Sequence, residues 1–192
     1  MGERSPADQL LPGILRFLDH TNLTVTTLTA CFVLYTRSAG VAYFTGGAVL
    51  CSFTVKLLKK VIRQPRPVVT SHTGRRTLTY GMPSTHSATI TFFATYILLA
   101  CTYLSVHPSL PQSNWISRLF PPLITIPWAT AIVMSRVWLG HHTWRQVVVG
   151  MSYGATFAAG WFALWTRSLY VYGQRVEEVI GNPLAAIPYI VA

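Results

Sequence analysis

Apolar positions along this chain gather into long runs instead of alternating with polar ones, and the runs have the length of membrane helices. A bilayer core of roughly 30 Å takes about 20 mostly apolar residues per helix. Four windows meet that length: Ala39 to Leu58, Ala88 to Val106, Phe120 to Leu139, and Val147 to Thr166. A fifth run, Leu23 to Thr36, is shorter and rich in threonine. Ahead of it, Leu10, Leu11, Ile14, Leu15, Phe17 and Leu18 recur at helical spacing among polar residues, the pattern of an amphipathic helix lying on a membrane surface. The closing stretch, Asn182 to Ala192, is apolar but too short and too marked by proline to span. The pattern predicts an all-α fold, a polytopic membrane helical bundle of four to six spans. It reads as a single membrane domain over residues 1–192, with an amphipathic segment at 1–21, a helical core at 39–166 and a tail at 167–192.

Composition agrees, since 51% of the residues are hydrophobic and only 10% charged, where a soluble domain carries about a quarter charged. The charge that remains is lopsided: fifteen Lys and Arg against five acidic residues, a formal net charge of +10. Such an excess calls for an anionic partner. Nucleic acid is a poor fit, because it needs a broad solvated basic face and here the cations sit between apolar runs. The acidic residues are Glu3, Asp8, Asp19, Glu177 and Glu178, so the central chain carries no carboxylate. A magnesium or calcium site, a Ser-His-Asp triad and a paired-carboxylate hydrolase cannot be built from it. Cys31, Cys51 and Cys101 are isolated in apolar segments, without zinc-site spacing or the even count of a disulfide framework. No cleavable signal peptide is legible at the N-terminus, so insertion is expected to use the spans themselves.

Candidate chemistry lies in the connections. Seven of the fifteen basic residues, Lys56, Lys59, Lys60, Arg63, Arg66, Arg75 and Arg76, fall between Lys56 and Arg76, at and beyond the end of the Ala39 to Leu58 window. A cytoplasmic loop obeying the positive-inside rule looks similar. However, Lys59, Arg63 and Arg66 stand at i, i+4, i+7 and are expected to share a helical face, and Pro65 and Pro67 hold Arg66 in a stiff extended turn. Next comes Tyr80-Gly81-Met82-Pro83-Ser84-Thr85-His86-Ser87, a polar turn leading into an apolar helix. A helix start offers N–H groups and positive dipole character to a phosphate, and Ser84 and Thr85 add hydroxyls beside His86. Taken by itself, the turn reads more readily as an ordinary N-cap with an interfacial histidine.

The run Ser135-Arg136-Val137-Trp138-Leu139-Gly140-His141-His142-Thr143-Trp144-Arg145-Gln146 places an arginine and histidines where a later span meets the interface. Interfacial tryptophans account for Trp138 and Trp144 without catalysis. Two crossings separate the loop bearing Lys59, Arg66 and His86 from that bearing Arg136 and His142, so both lie on one side of the membrane. Two basic loops and two histidines on one face favour an anion pocket over separately snorkelling cations.

These segments, Lys59 to Arg66-Pro67, Pro83-Ser84-Thr85-His86 and Ser135-Arg136 to His142, resemble the three ordered signatures of the type 2 phosphatidic-acid phosphatase and haloperoxidase superfamily. The likeness covers about residues 40–165 and is strongest to the dolichyl-diphosphatase group, in Val61-Ile62-Arg63-Gln64-Pro65-Arg66-Pro67, Tyr80-Gly81-Met82-Pro83-Ser84 and His142-Thr143-Trp144. The resemblance implies that His142 attacks phosphorus and that His86 protonates the leaving oxygen and later activates water. It implies that Lys59, Arg66 and Arg136 hold the phosphoryl oxygens, with Ser84 and the Thr85 amide completing the cradle. No metal and no other cofactor enters, and no protein partner is implied. A neutral imidazole is a good nucleophile near pH 7, and a phosphohistidine intermediate splits one hard displacement into two easier ones.

Two positions depart from the common pattern. Thr85 stands where many members have glycine, which the dolichyl-diphosphatase group also lacks, and Gln146 stands where many have aspartate, four residues after the nucleophile. An amide can orient the His142 ring but cannot offset an imidazolium charge. His141 neighbours the nucleophile, but spacing from Arg136 assigns the role to His142; His20, His72 and His107 read as interfacial or loop residues.

The substrate implied is dolichyl diphosphate, its polyprenyl tail held in the bilayer, hydrolysed in support of dolichol recycling for protein N-glycosylation. A broader lipid phosphate phosphatase acting on phosphatidate, a sphingoid phosphate or a short prenyl diphosphate is the alternative within the superfamily. Outside it, a lipid-phosphate binder or transporter needs the same basic pocket but not both histidines. The resemblance also implies an endoplasmic-reticulum membrane with the active face toward the lumen, whereas positive-inside bias points the basic loop to the cytoplasm.

Overall fold

The computed structural model describes residues 21–65, 80–108, 110–113 and 115–181. The expected amphipathic segment, the closing stretch Asn182 to Ala192, and the part of the basic loop that carries Arg66, Arg75 and Arg76 lie outside the described residues. Within them, every regular element is helical: α1 Thr21–Thr36, α2 Ala39–Ile62, α3 Thr85–Tyr103, α4 Phe120–Trp138, α5 Trp144–Leu164 and α6 Tyr170–Gly181. A π-helical turn, Trp115–Leu119, leads into α4, and another, Trp165–Leu169, joins α5 to α6. The four long apolar windows correspond to α2, α3, α4 and α5, and the threonine-rich run to α1.

The segments 39–62, 115–138 and 144–180 are long and apolar enough to cross a membrane. Helix α3 has the length, but its first turn is polar with Thr85, His86 and Ser87. It is nevertheless the centre of the bundle, packed against α2, α4 and α5. Large apolar side chains on the outside, among them Leu34, Val49, Phe53, Leu123 and Val148, are exposed in the way a lipid-facing surface requires.

Two clusters fill the inside. Ala48, Cys51 and Val55 of α2 meet Ala88, Phe92 and Tyr96 of α3 and Ala158 and Phe162 of α5. Ile90 of α3 meets Ala129, Ile132 and Val133 of α4 and Val147 of α5. Apolar burial discriminates little between helix and lipid contact, so close backbone packing decides which faces meet. Gly150 and Gly154, one turn apart on α5, supply it. A Cβ on Gly154 would stand 2.1 Å from the Ala88 carbonyl oxygen, and one on Gly150 2.6 Å from that of Ser84. Helices α2 and α5 are tied by a reciprocal pair, in which Trp161 Nε1 donates to the Tyr43 carbonyl at 3.1 Å and the Tyr43 hydroxyl to the Trp161 carbonyl at 3.0 Å. Their rings stack with centroids 4.6 Å apart.

Helix ends follow local chemistry. Pro65 disfavours helical backbone at Gln64, so α2 stops at Ile62 and Arg63 closes it in the left-handed conformation, φ 50°. Arg63 therefore does not share a helical face with Lys59, as i, i+4 spacing had suggested; its Nε donates to the Lys60 carbonyl instead. Pro121 and Pro122 open α4, where missing N–H groups cost nothing. The helical path runs past Thr166 into α6, whose mixture of Gln174, Arg175, Glu177 and Glu178 with Val171, Val176 and Ile180 is too polar to register as an apolar run.

Candidate active site

The end of the bundle where α2 and α4 finish and α3 and α5 begin collects the residues that the sequence singles out. The meeting is direct: the Ser84 N–H donates to the Gln146 carbonyl at 3.0 Å, which locks the first turns of α3 and α5 together. Two helix N-termini thus converge, each with outward N–H groups and positive dipole character, on a spot that favours an anion. Cations arrive from the opposite polarity, Lys59 in the last turn of α2 and Arg136 in the last turn of α4. Both acidic side chains among the described residues, Glu177 and Glu178, belong to α6. Glu177 lies at the far end, where its carboxylate accepts from the Ala39 N–H at 2.6 Å and the Ser38 hydroxyl at 2.8 Å.

Ser84 is the N-cap of α3 and fully buried. Its hydroxyl accepts from the Ser87 N–H at 3.4 Å and the Ser87 hydroxyl at 2.9 Å. Thr85 and His86 are the first two residues of α3, both half-buried. Arg136 is buried, with 1% exposure, and its Nε and one terminal nitrogen each donate to the Ser135 hydroxyl at 3.3 Å. That hydroxyl in turn donates to the Ile132 carbonyl at 2.7 Å, so the guanidinium is steadied by its own helix. The chain then turns through Gly140, φ 69°, and the Arg136 carbonyl accepts from the His141 and His142 N–H groups at 3.1 and 3.2 Å. Only glycine takes that conformation at little cost. The turn sets His142, 4% exposed, beside the start of α5.

Thr143 caps α5 in a capping box with Gln146, a T-x-x-Q pattern readable in the sequence. The Gln146 Oε1 lies 3.1 Å from His142 Nδ1 and 3.3 Å from the Thr143 N–H. In the neutral ring, a proton on Nδ1 matches that oxygen, and Nε2 is then the basic nitrogen. That is the atom a nucleophilic imidazole uses. Gln146 Nε2 donates to Gln64 Oε1 at 3.3 Å and to the Pro65 carbonyl at 3.1 Å, joining the α2 terminus to the same group.

Lys59, Ser84, Thr85, His86, Arg136, His142 and Gln146 are therefore all at one end of the bundle, while Arg66 lies outside the described residues. Four supporting residues, Gln64, Gly81, Ser87 and Ser135, stand in the runs singled out from the sequence but took no role from it. Gly81 had a signal, since it sits between Tyr80 and the Met82-Pro83 turn, and a Cβ there would stand 2.4 Å from Gln146 Nε2. Gln64, Ser87 and Ser135 act through partners distant in sequence or through hydroxyl geometry, which spacing does not reveal.

Residues 39–170 match the PAP2 superfamily. The chain belongs to that superfamily. Human dolichyldiphosphatase 1 is 32% identical over 186 residues, covering 95% of this chain and 74% of that protein. Lipid phosphate phosphatase gamma of Arabidopsis thaliana is 33% identical over 150 residues, covering 77% of this chain and 63% of that protein. Among solved structures, a transmembrane PAP2-type phosphatidylglycerolphosphate phosphatase from Bacillus subtilis shares the fold with a TM-score of 0.63 at 19% identity, covering 86% of this chain and 80% of its own. As a PAP2 protein the chain is a multi-pass membrane phosphatase, and the match spans every helix from α2 to α5.

Proposed function

We propose that this phosphatase hydrolyses dolichyl diphosphate to dolichyl phosphate and inorganic phosphate through a phosphohistidine at His142. The observation that carries the reading is the buried His142 ring with Nδ1 held 3.1 Å from Gln146 Oε1, an arrangement in which the neutral ring has Nε2 as its basic nitrogen. His142 Nε2 attacks the terminal phosphorus, the bond to the bridging oxygen breaks, and that oxygen takes its electron pair and a proton from His86. Dolichyl phosphate departs. Water then attacks the phosphoryl group, giving its proton back to His86; the P–N bond breaks, and phosphate leaves with His142 regenerated.

Lys59, Arg66 and Arg136 offset the charge on the phosphoryl oxygens as the displacement proceeds, and Ser84 with the Thr85 amide completes the cradle at the α3 terminus. A planar guanidinium such as Arg136 suits two oxygens at once. Gln146 positions His142 and does not touch phosphate. The chemistry draws on cations and imidazoles, so it proceeds in chelator.

The substrate class rests on the dolichyldiphosphatases among the relatives, and the polyprenyl tail is taken to remain in the bilayer. The Arabidopsis relative supports a second reading, a broader lipid phosphate phosphatase with the same site. We place the enzyme in the endoplasmic-reticulum membrane with this site toward the lumen, in service of dolichol recycling for N-glycosylation; glycosylation tags in the loops at either end of the bundle test the sidedness. The substrate test is phosphate release from dolichyl diphosphate, phosphatidate and a sphingoid phosphate by detergent-solubilised protein. Preference for dolichyl diphosphate is the expected result. Preference for phosphatidate moves the enzyme to the broader reading, and release from none of them contradicts both.

A further inference from the structure

Gln146 is 2% exposed, and its carboxamide is engaged on both sides. The oxygen faces two donors, His142 Nδ1 at 3.1 Å and the Thr143 N–H at 3.3 Å. The nitrogen faces two acceptors, Gln64 Oε1 at 3.3 Å and the Pro65 carbonyl at 3.1 Å. An amide nitrogen has two protons and an amide oxygen two lone pairs, so the group is matched in full. The Thr143 N–H and the Pro65 carbonyl are backbone groups of fixed polarity. Turning the amide over would set donor against donor and acceptor against acceptor inside the protein, at the cost of unsatisfied buried groups.

The surroundings are shaped to this one group. Pro65 ends α2 and delivers Gln64, whose carbonyl accepts from the Gly81 N–H at 2.7 Å. Gly81 in turn leaves the room that Gln146 fills, since a Cβ would stand 2.4 Å from Nε2 and 2.8 Å from Cδ and Oε1. A carboxylate of the same length at position 146 would keep its contacts with His142 and Thr143. Its second oxygen would then face the Pro65 carbonyl, with no donor there, and Gln64 would have to reverse its own amide to meet it. A buried charge so placed is costly.

We infer that Gln64, together with the Pro65 carbonyl, is a positioning pair that holds Gln146 with its oxygen on His142 and makes position 146 selective for a neutral amide over a carboxylate. The inference rests on His142 as nucleophile, as proposed above. Gln64 belongs to the chain segment before Arg66 and contacts Gln146 across 82 residues of sequence.

The test combines Gln64→Lys and Gln146→Glu. In the otherwise native enzyme, Gln64→Lys turns an acceptor into a donor against the Gln146 amide and lowers kcat about tenfold to a hundredfold, the loss that a misplaced catalytic group brings. Gln146→Glu alone lowers kcat by a similar factor, and in that background Gln64→Lys raises it, because the ammonium now meets a carboxylate. The thermal-unfolding midpoint in detergent changes sign in the same way, and it needs no substrate. A Gln64→Lys effect in the same direction in both backgrounds overturns the inference. Should Gln146→Glu fail to fold, Gln64→Met, close in shape but without an acceptor, is expected to lower kcat about tenfold with KM nearly unchanged; an unchanged kcat overturns the inference. Should the native enzyme release no phosphate, the proposed function fails separately, and 15N signals of labelled His142 still decide: a protonated Nδ1 agrees with the positioning pair, a protonated Nε2 contradicts it.

Discussion

His142 and Arg136 are both buried, yet they owe their positions to different kinds of support. Arg136 is held through Ser135, whose hydroxyl accepts from the guanidinium and donates to the Ile132 carbonyl. Ser135→Ala removes that acceptor while leaving the helix intact; a fall in kcat/KM of about tenfold is expected, with stability lowered by about 1 kcal/mol, read by steady-state kinetics and thermal unfolding. Arg136→Lys keeps the charge but gives up the planar fork, so a loss of about a hundredfold in kcat/KM is expected from the same assay. The candidate chemistry was legible because two histidines and an arginine stand beside the ends of apolar runs, where a membrane protein has no packing use for them. The supports were not: Ser135 and Ser87 are common small residues whose value lies in hydroxyl direction, and Gln64 has meaning only once Gln146 is known to be near it.

Helix ends build the site, and the chain specifies them with ordinary local devices. Pro65 stops α2, Ser84 caps α3, Gly140 turns the chain after α4, and the Thr143–Gln146 box opens α5. Pro65 and Ser84 were read from the sequence as helix boundaries, whereas the Gly140 turn and the Thr143–Gln146 box were not. Nor was the extent of the last helix, because α6 alternates charge with apolar residues and gives no uniform run. The facing of α5 on α3 was equally hidden, since it depends on Gly150 and Gly154 meeting backbone carbonyls. Gly154→Ala would press a Cβ against the Ala88 carbonyl oxygen at 2.1 Å. It is expected to cost about 1–3 kcal/mol and to lower activity by shifting the Gln146 turn against Ser84. Gly160→Ala, on the same helix with no atom within 4 Å of the added Cβ, is the control and should leave the unfolding midpoint unchanged or slightly raised.

Across the whole molecule, cations stand at both ends of the bundle, among them Arg118 and Arg167 at the end away from Lys59 and Arg136, while the two acidic side chains among the described residues belong to α6. One end gathers Lys59, Arg136 and two histidines around converging helix N-termini; the other has Glu177 at the start of α2, with His107 Nε2 3.7 Å from the same carboxylate. Glu177→Ala should lower stability by about 1–2 kcal/mol through loss of the cap on α2, with kcat within about twofold, since the site lies a full helix away. On the proposed function, Lys59, Arg66 and Arg136 serve the phosphate whichever compartment the site faces, so positive-inside bias does not by itself assign the orientation. The most direct test of His142 as nucleophile is rapid acid-free quenching of the enzyme turning over dolichyl diphosphate labelled in its terminal phosphate, in excess chelator, followed by peptide mapping. A base-stable, acid-labile phosphoryl group on His142, absent from His142→Ala, is the result expected. Label on another residue, or full turnover by His142→Ala, would contradict it.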